Sequence, residues 1–286
     1  HSDLANISAR TVAGGHSLRS DQVPGETDRG RAVTAMSESL KNWLVSEVES
    51  GKVSGVIALG GSGGTAIVAP ALQALAIGLP KLIVSTMASG NTQPYVGHSD
   101  ITMMYSVVDI AGLNSVSRRV LSNAAHAISG MVANSTAILG DRATVGMTMF
   151  GVTTPCVEMV RKALEIKGMD PLVFHATGVG GQAMEKLVTD GLISGVLDIT
   201  TTEVADEVVG GVMPGGPYRF DVMIQRGIPY VISLGALDMV NFGAPHTVPE
   251  RFADRHFHVH NPQVTLMRTT AAENRDIAKW IAAKVN

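Results

Sequence analysis

The chain has 286 residues and a single cysteine, Cys156. One thiol excludes an intramolecular disulfide, a chain this long can bury a core without such a staple, and the expected setting is reducing and cytoplasmic. Aromatic residues are scarce at 4% and charged residues at 16%, against 45% hydrophobic residues. The interior must therefore be filled by Val, Ile, Leu, Ala and Met, the palette of buried parallel strands covered by helices. Basic excess is missing too. A net charge of -3 and a pI near 6.3 exclude the electrostatic footprint of a nucleic-acid binder, and no basic tract offsets them. Residues 1–25 contain no apolar run that would read as a secretory signal. Residues 53–80 carry no charged side chain, yet Gly60 to Gly64, Pro70 and Pro80 interrupt them where a lipid-exposed backbone would not tolerate it, so no membrane partner is expected.

Glycine is plentiful, with 31 residues, and it falls at regular places. An irregular arm (1–26) precedes a helix with a cap candidate at Thr27-Asp28 and apolar positions from Val33 to Val48. A strand (53–59), the run Gly60-Gly61-Ser62-Gly63-Gly64, a helix (64–76), a strand (81–86), the run "ITMMYSVVDI" and a helix (114–131) follow. The second half repeats the grammar. "ATVGMTMFGV" is a strand, Thr154-Pro155 opens a helix to Ile166, and "LVFHATGVGGQAMEKLVTDG" is again strand, glycine loop, helix. Strands at "LISGVLDI" and "GIPYVISLG", a short helix at "VADEVVGG", a loop rich in Gly and Pro before "RHFHVHN", and a last helix with a Thr270/Glu273 capping box complete it. This alternation predicts an α/β protein of two Rossmann-like domains, residues 1–140 and 141–286, with mainly parallel sheets flanked by helices.

A strand that ends in glycines and turns into a helix aims backbone N–H groups and a positive helix end at one spot, which suits a phosphate. The first turn offers Gly60, Gly61, Ser62, Gly63, Gly64 and Thr65, with Ser85, Thr86, Ser89 and Gly90 expected beside it at the next strand end. It is not a Walker A motif, because no Gly-Lys-Ser/Thr follows. It fits the relaxed dinucleotide pattern through Gly61, Gly63 and Ala66, but the next strand ends Ser85-Thr86 with no acidic residue, which disfavours nicotinamide. The second turn offers Thr177, Gly178, Gly180 and Gly181, and Asp198 follows at the position of a ribose-binding carboxylate. The bland alternative at both turns is that glycine only permits close packing.

Other residues have weaker claims. His256, His258 and His260 share one face of a strand and could bind metal with His246, although a solvated face is the plainer reading, and no metal site is assigned. Cys156 near a helix start has no His placed to activate it, and Arg118-Arg119 read as solvated. Thr200, Thr201 and Thr202 suit a helix cap. Asp100, Asp109 and Asp198 are the only candidate bases, and none lies in a phosphoryl-transfer pattern.

The segment from Gly60 to Asn114, with "GVTTPCVEMVRKALE", "FHATGVGGQAME", "GLISGVLDITTTEVADEVVGG", "SLGALDMVNFG" and "HNPQVTLMRTT", resembles the ATP-binding inhibitor domain of the tomato mosaic virus resistance protein and its bacterial relatives. The likeness spans nearly the whole chain. It implies a two-domain protein that binds ATP, with or without Mg2+, and that self-associates as a homodimer or higher oligomer, with its catalytic activity unsettled. It also implies an opening strand–helix unit before His1 and an extension past Asn286, so a fragment is expected. The alternative is a metabolic enzyme acting on a small phosphorylated or keto-acid substrate in an interdomain cleft.

Overall fold

The computed structural model describes residues 6–14, 29–136 and 142–285. The chain divides into two compact units, His1–Ile138 and Leu139–Asn286. The Thr27-Asp28 cap candidate lies outside the described residues.

In the first unit α1 (Ala9–Ala13) and α2 (Arg29–Glu49) precede β1 (Val56–Gly60), α3 (Ser62–Ala74), β2 (Lys81–Ser85), α4 (Gln93–Val96), β3 (Thr102–Tyr105) and α5 (Ser115–Ala133). The strands form a parallel sheet in the order β1-β2-β3. Side chains alternate across it. Ile83 packs with Leu44, Leu72 and Leu75 under α2 and α3, whereas Leu82 and Val84 pack with Ala124 under α5. The central strand β2 is buried at every position, which is why "KLIVS" is apolar on both faces. Its first residue is an exception in chemistry but not in place. Lys81 is fully buried, donates to the Ala76 carbonyl at 2.6 Å, and pairs with Asp100 at 2.6 Å. Met103 and Met104 pack against these two core layers.

The second unit contains β4 (Thr144–Met149), α6 (Thr154–Ile166), β5 (Asp170–His175), α7 (Val179–Thr189), β6 (Gly195–Thr200), α8 (Thr202–Val209), α9 (Asp221–Arg226) and β7 (Tyr230–Gly235). These strands form a parallel sheet in the order β5-β4-β6-β7. β8 (Met239–Phe242), β9 (Phe257–Asn261) and β10 (Val264–Arg268) form a separate antiparallel sheet, β8-β10-β9, and α10 (Ala271–Val285) closes the unit. Only β9 of that sheet was expected from sequence. The core runs through Met184, Val196, Val204, Phe220, Val240, Phe242, Met267 and Ile277. The capping box at the start of α10 is present: Thr270 N–H donates to Glu273 at 2.7 Å and Glu273 N–H donates to Thr270 Oγ1 at 3.2 Å. No helix among the described residues is long and apolar enough to cross a membrane.

Candidate functional site

The first glycine turn is tighter than its composition suggests. Gly60 ends β1, Gly61 is the N-cap in extended conformation (φ -77°, ψ -159°), and Ser62, Gly63 and Gly64 already lie in the first turn of α3. The expected five-residue loop is one residue long. None of these glycines has positive φ, so their purpose is closeness, not left-handed torsion. A Cβ on Gly60 would sit 2.9 Å from Gly64 Cα, whereas one on Gly61 would meet only Thr86 Oγ1 at 3.7 Å. No side chain caps α3. Every helix start leaves N–H groups without an intrahelical partner, and here those of Ser62, Gly63 and Gly64 stand at the carboxyl edge of a parallel sheet, where such sheets bind ligands.

Two of the expected contacts at this turn need correction. Thr65 and Ser85 are fully buried, and their hydroxyls bond each other at 2.7 Å. Thr65 also donates to the Gly61 carbonyl at 2.8 Å, and Ser85 Oγ accepts from Met87 N–H at 3.0 Å. They tie β2 to α3 and leave no hydroxyl for a phosphate or a cation. Thr86 is half-buried beside Gly61, and Ser89 and Gly90 are exposed, so these three remain at the edge of the site.

The second glycine turn is already filled from within. Glu203, from the first turn of α8, is fully buried, and its Oε1 accepts from Gly178 N–H at 2.7 Å and Gly181 N–H at 3.0 Å. A carboxylate of the chain thus sits at the helix start where a phosphate would. Its other oxygen accepts from Arg219 Nε at 3.1 Å. Arg219, also buried, reaches Asp198 at 2.7 Å and Glu185 at 2.9 Å. Burial pushes the Glu203 carboxyl upward, and Arg219 and the Gly181 N–H oppose it. Burial likewise raises Glu185, again opposed by Arg219. Desolvation works against the Arg219 charge, but Asp198, Glu203 and Glu185 outweigh it and hold the guanidinium protonated. Tyr230 is raised by burial and by Asp198, to which it donates at 3.0 Å.

Asp198 is therefore not a ribose ligand. It is fully buried, bound by Arg219, Tyr230 and the Thr148 hydroxyl at 2.6 Å, with no oxygen turned outward. Gly178, Gly180 and Gly181 serve packing: Gly178 has φ +84° and its Cβ would meet the Pro214 carbonyl at 2.7 Å. A Cβ on Gly180 would run into the His175 carbonyl, and one on Gly181 into Glu203. Thr177 donates to the His175 carbonyl at 3.3 Å. Sequence reasoning missed Glu203, Arg219 and Glu185. The only local signal was the acidic segment "TTEVADE", in which Glu203 and Asp206 lie one turn apart with Glu207 next to Asp206. Thr200, Thr201 and Thr202 are fully buried; Thr201 is the N-cap residue of α8, but no side-chain bond caps that helix. Among the described residues no group of three or more His, Cys, Asp or Glu could hold a metal ion, the histidines of β9 included.

Two parallel-sheet units, each with a glycine turn at the carboxyl edge, one open and one internally filled, define a two-domain α/β protein. The chain belongs to UPF0261, an uncharacterised protein family: its N-terminal domain matches residues 1–137 and its C-terminal domain residues 142–286. A UPF0261 protein of Mesorhizobium japonicum is 52% identical over 98% of this chain and 70% of its own length. One of Rhizobium meliloti is 52% identical over 99% of this chain and 70% of its own. The ToMV resistance protein Tm-1(GCR237) of Solanum lycopersicum is 50% identical over 99% of this chain, which spans only 39% of that protein.

Proposed function

We propose that the chain binds ATP, with the phosphates on the first turn of α3. The observation that supports this reading is the uncapped start of α3 at the carboxyl edge of β1 and β2. Helix N–H groups and the helix dipole act together there on a negative charge. The choice of ATP over another phosphate ester follows the resemblance to the tomato protein's domain. Thr86, Ser89 and Gly90 border the turn and are suited to the sugar or the outer phosphates. The residues present fit a phosphate but not a protein-held Mg2+, since the Thr65 hydroxyl is engaged within the fold. A magnesium ion would arrive on the nucleotide.

Calorimetry of ATP against the full chain tests the reading. Gly63→Val and Gly61→Val add branched side chains to the start of α3 and, on this reading, should weaken ATP at least tenfold. Thr177→Ala, in the second turn, should leave ATP affinity within a factor of two. Each variant is first checked for a cooperative melt near the parent's. Undetectable ATP binding by the parent, or parent-like affinity in both folded valine variants, would overturn the reading.

A further inference from the structure

The second unit contains a cavity of about 300 Å³ at the carboxyl ends of β4 and β5, bordering its filled glycine turn through Thr177 and Met213. Phe150 and Val152 come from the turn after β4, Met213 from the segment after α8, and Val264 and Leu266 from β10; together they make the walls apolar. Four polar side chains interrupt those walls, of which Thr177 is already engaged, donating to the His175 carbonyl at 3.3 Å. His175 ends β5, and His260 and Asn261 end β9. Phe150 and His175 stack with ring centroids 5.4 Å apart, which fixes the imidazole at the rim. Among the described residues neither the His175 nor the His260 imidazole has a hydrogen-bond partner. Asn261 Oδ1 accepts from Gln263 N–H at 2.9 Å, which leaves the Asn261 amide to act as a donor. An imidazole has an N–H donor whether neutral or protonated. No acidic side chain lines the cavity.

An apolar chamber with a few convergent donors, placed where parallel sheets bind ligands, is the form of a small-molecule site. Its lining holds side-chain donors and no acidic group that would repel an anion. Its size suits a body of about ten non-hydrogen atoms. We infer that this cavity binds a small carboxylic acid with an apolar body, the carboxylate on His175, His260 and Asn261 and the body against Phe150, Val152, Met213, Val264 and Leu266. A phosphate ester is a poorer match, because the lining has neither Lys nor Arg and is mostly apolar.

Phenylacetate and its neutral isostere phenylacetamide are suitable probes, read by ligand-observed NMR titration on the full chain. Phenylacetate should bind with a dissociation constant below about 1 mM, and the amide at least tenfold more weakly, since it cannot form charge-assisted hydrogen bonds. His260→Leu alters an exposed strand residue, should melt like the parent, and should weaken phenylacetate at least tenfold while leaving ATP binding unchanged. Val264→Trp fills the chamber and should abolish phenylacetate binding. Equal affinities for acid and amide, parent-like phenylacetate binding in His260→Leu, or no binding of either phenylacetate or 3-methylbutanoate by the parent would each overturn the inference.

Discussion

The two glycine turns share a sequence grammar and differ in what occupies them. At α3 the strand-to-helix junction is a single residue, the helix start is uncapped, and the nearest hydroxyls are turned inward to hold β2. At α7 the same kind of junction is satisfied by Glu203, which is held in turn by Arg219, Asp198 and Glu185. Glycine permits close approach in both cases. In one the helix backbone itself comes up against Gly60 and the helix start stays open; in the other the chain's own carboxylate fills it. A glycine pattern therefore reports that something approaches the backbone, and burial of the surrounding charges tells which kind of partner it is.

The contrast can be broken from the inside. Arg219→Met would leave three carboxylates around an apolar side chain, and breaking a buried ionic network in this way costs about 3–5 kcal/mol. The urea midpoint should fall accordingly; a loss below about 1 kcal/mol would mean that Glu203 does not depend on Arg219. Glu203→Ala should cost somewhat less, about 3 kcal/mol, and should convert the second turn into an open one. Inorganic phosphate at tens of millimolar, about the level for a weak site, should then raise the melting temperature of the variant but not that of the parent through this turn. An equal phosphate effect on both proteins would show that the second turn is no anion seat.

A titration sharpens the same contrast. Asp206, on α8 with Glu203, is pushed up to about 6 by burial, against hydrogen bonds from Asn241 and Met213. Its folded value lies above the ordinary 3.8, so the folded chain keeps the proton longer than the unfolded chain does. Its contribution is most favourable below about pH 4 and declines as pH rises through 6, by about 3 kcal/mol. Asp206→Asn should flatten that slope in urea melts between pH 4 and 7.5, and an unchanged slope would assign it to another group. The smallest effect belongs to α10, whose start is capped by neighbouring residues. The Arg255 hydrogen bond, with help from Thr270, lowers Glu273 to about 2. This stabilisation is present above the usual 4.5 and is lost as pH falls toward 2. Solvent screening limits it, so Glu273→Gln should cost about 1 kcal/mol at neutral pH and almost nothing near pH 2. A cost that persists at pH 2 would point to packing.

Most of the fold was legible because its signals are local. Apolar runs marked β1, β5 and β6, with glycine turns after the first two, Pro155 marked the start of α6, and Thr270 with Glu273 marked that of α10. The antiparallel sheet was less visible, since β8 and β10 are short and meet only through pairing across residues 239–268. The first glycine turn was legible in its backbone but not in its hydroxyls: nothing in "TAIVAP" or "IVSTMA" says that Thr65 and Ser85 face each other across 20 positions. Asp198 was misplaced for the same reason. Its distance from Gly178 matched a ribose carboxylate, while its true partner, Arg219, lies 21 residues further on in a segment without a motif.

Lys81 gives the first unit an internal clock. Its amine is shielded completely and clamped between the Ala76 carbonyl and Asp100, whereas Lys52 is largely exposed. An amine-acylating reagent must wait for β2 to come away from its surroundings before it can react at Lys81, so the lag between the two lysines in a mass-spectrometric time course measures how often that opening happens. On the reading proposed above, ATP at the end of the neighbouring strand should lengthen the lag by a factor of one plus the ratio of free ATP concentration to Kd, so a covalent label would follow nucleotide binding without touching the nucleotide.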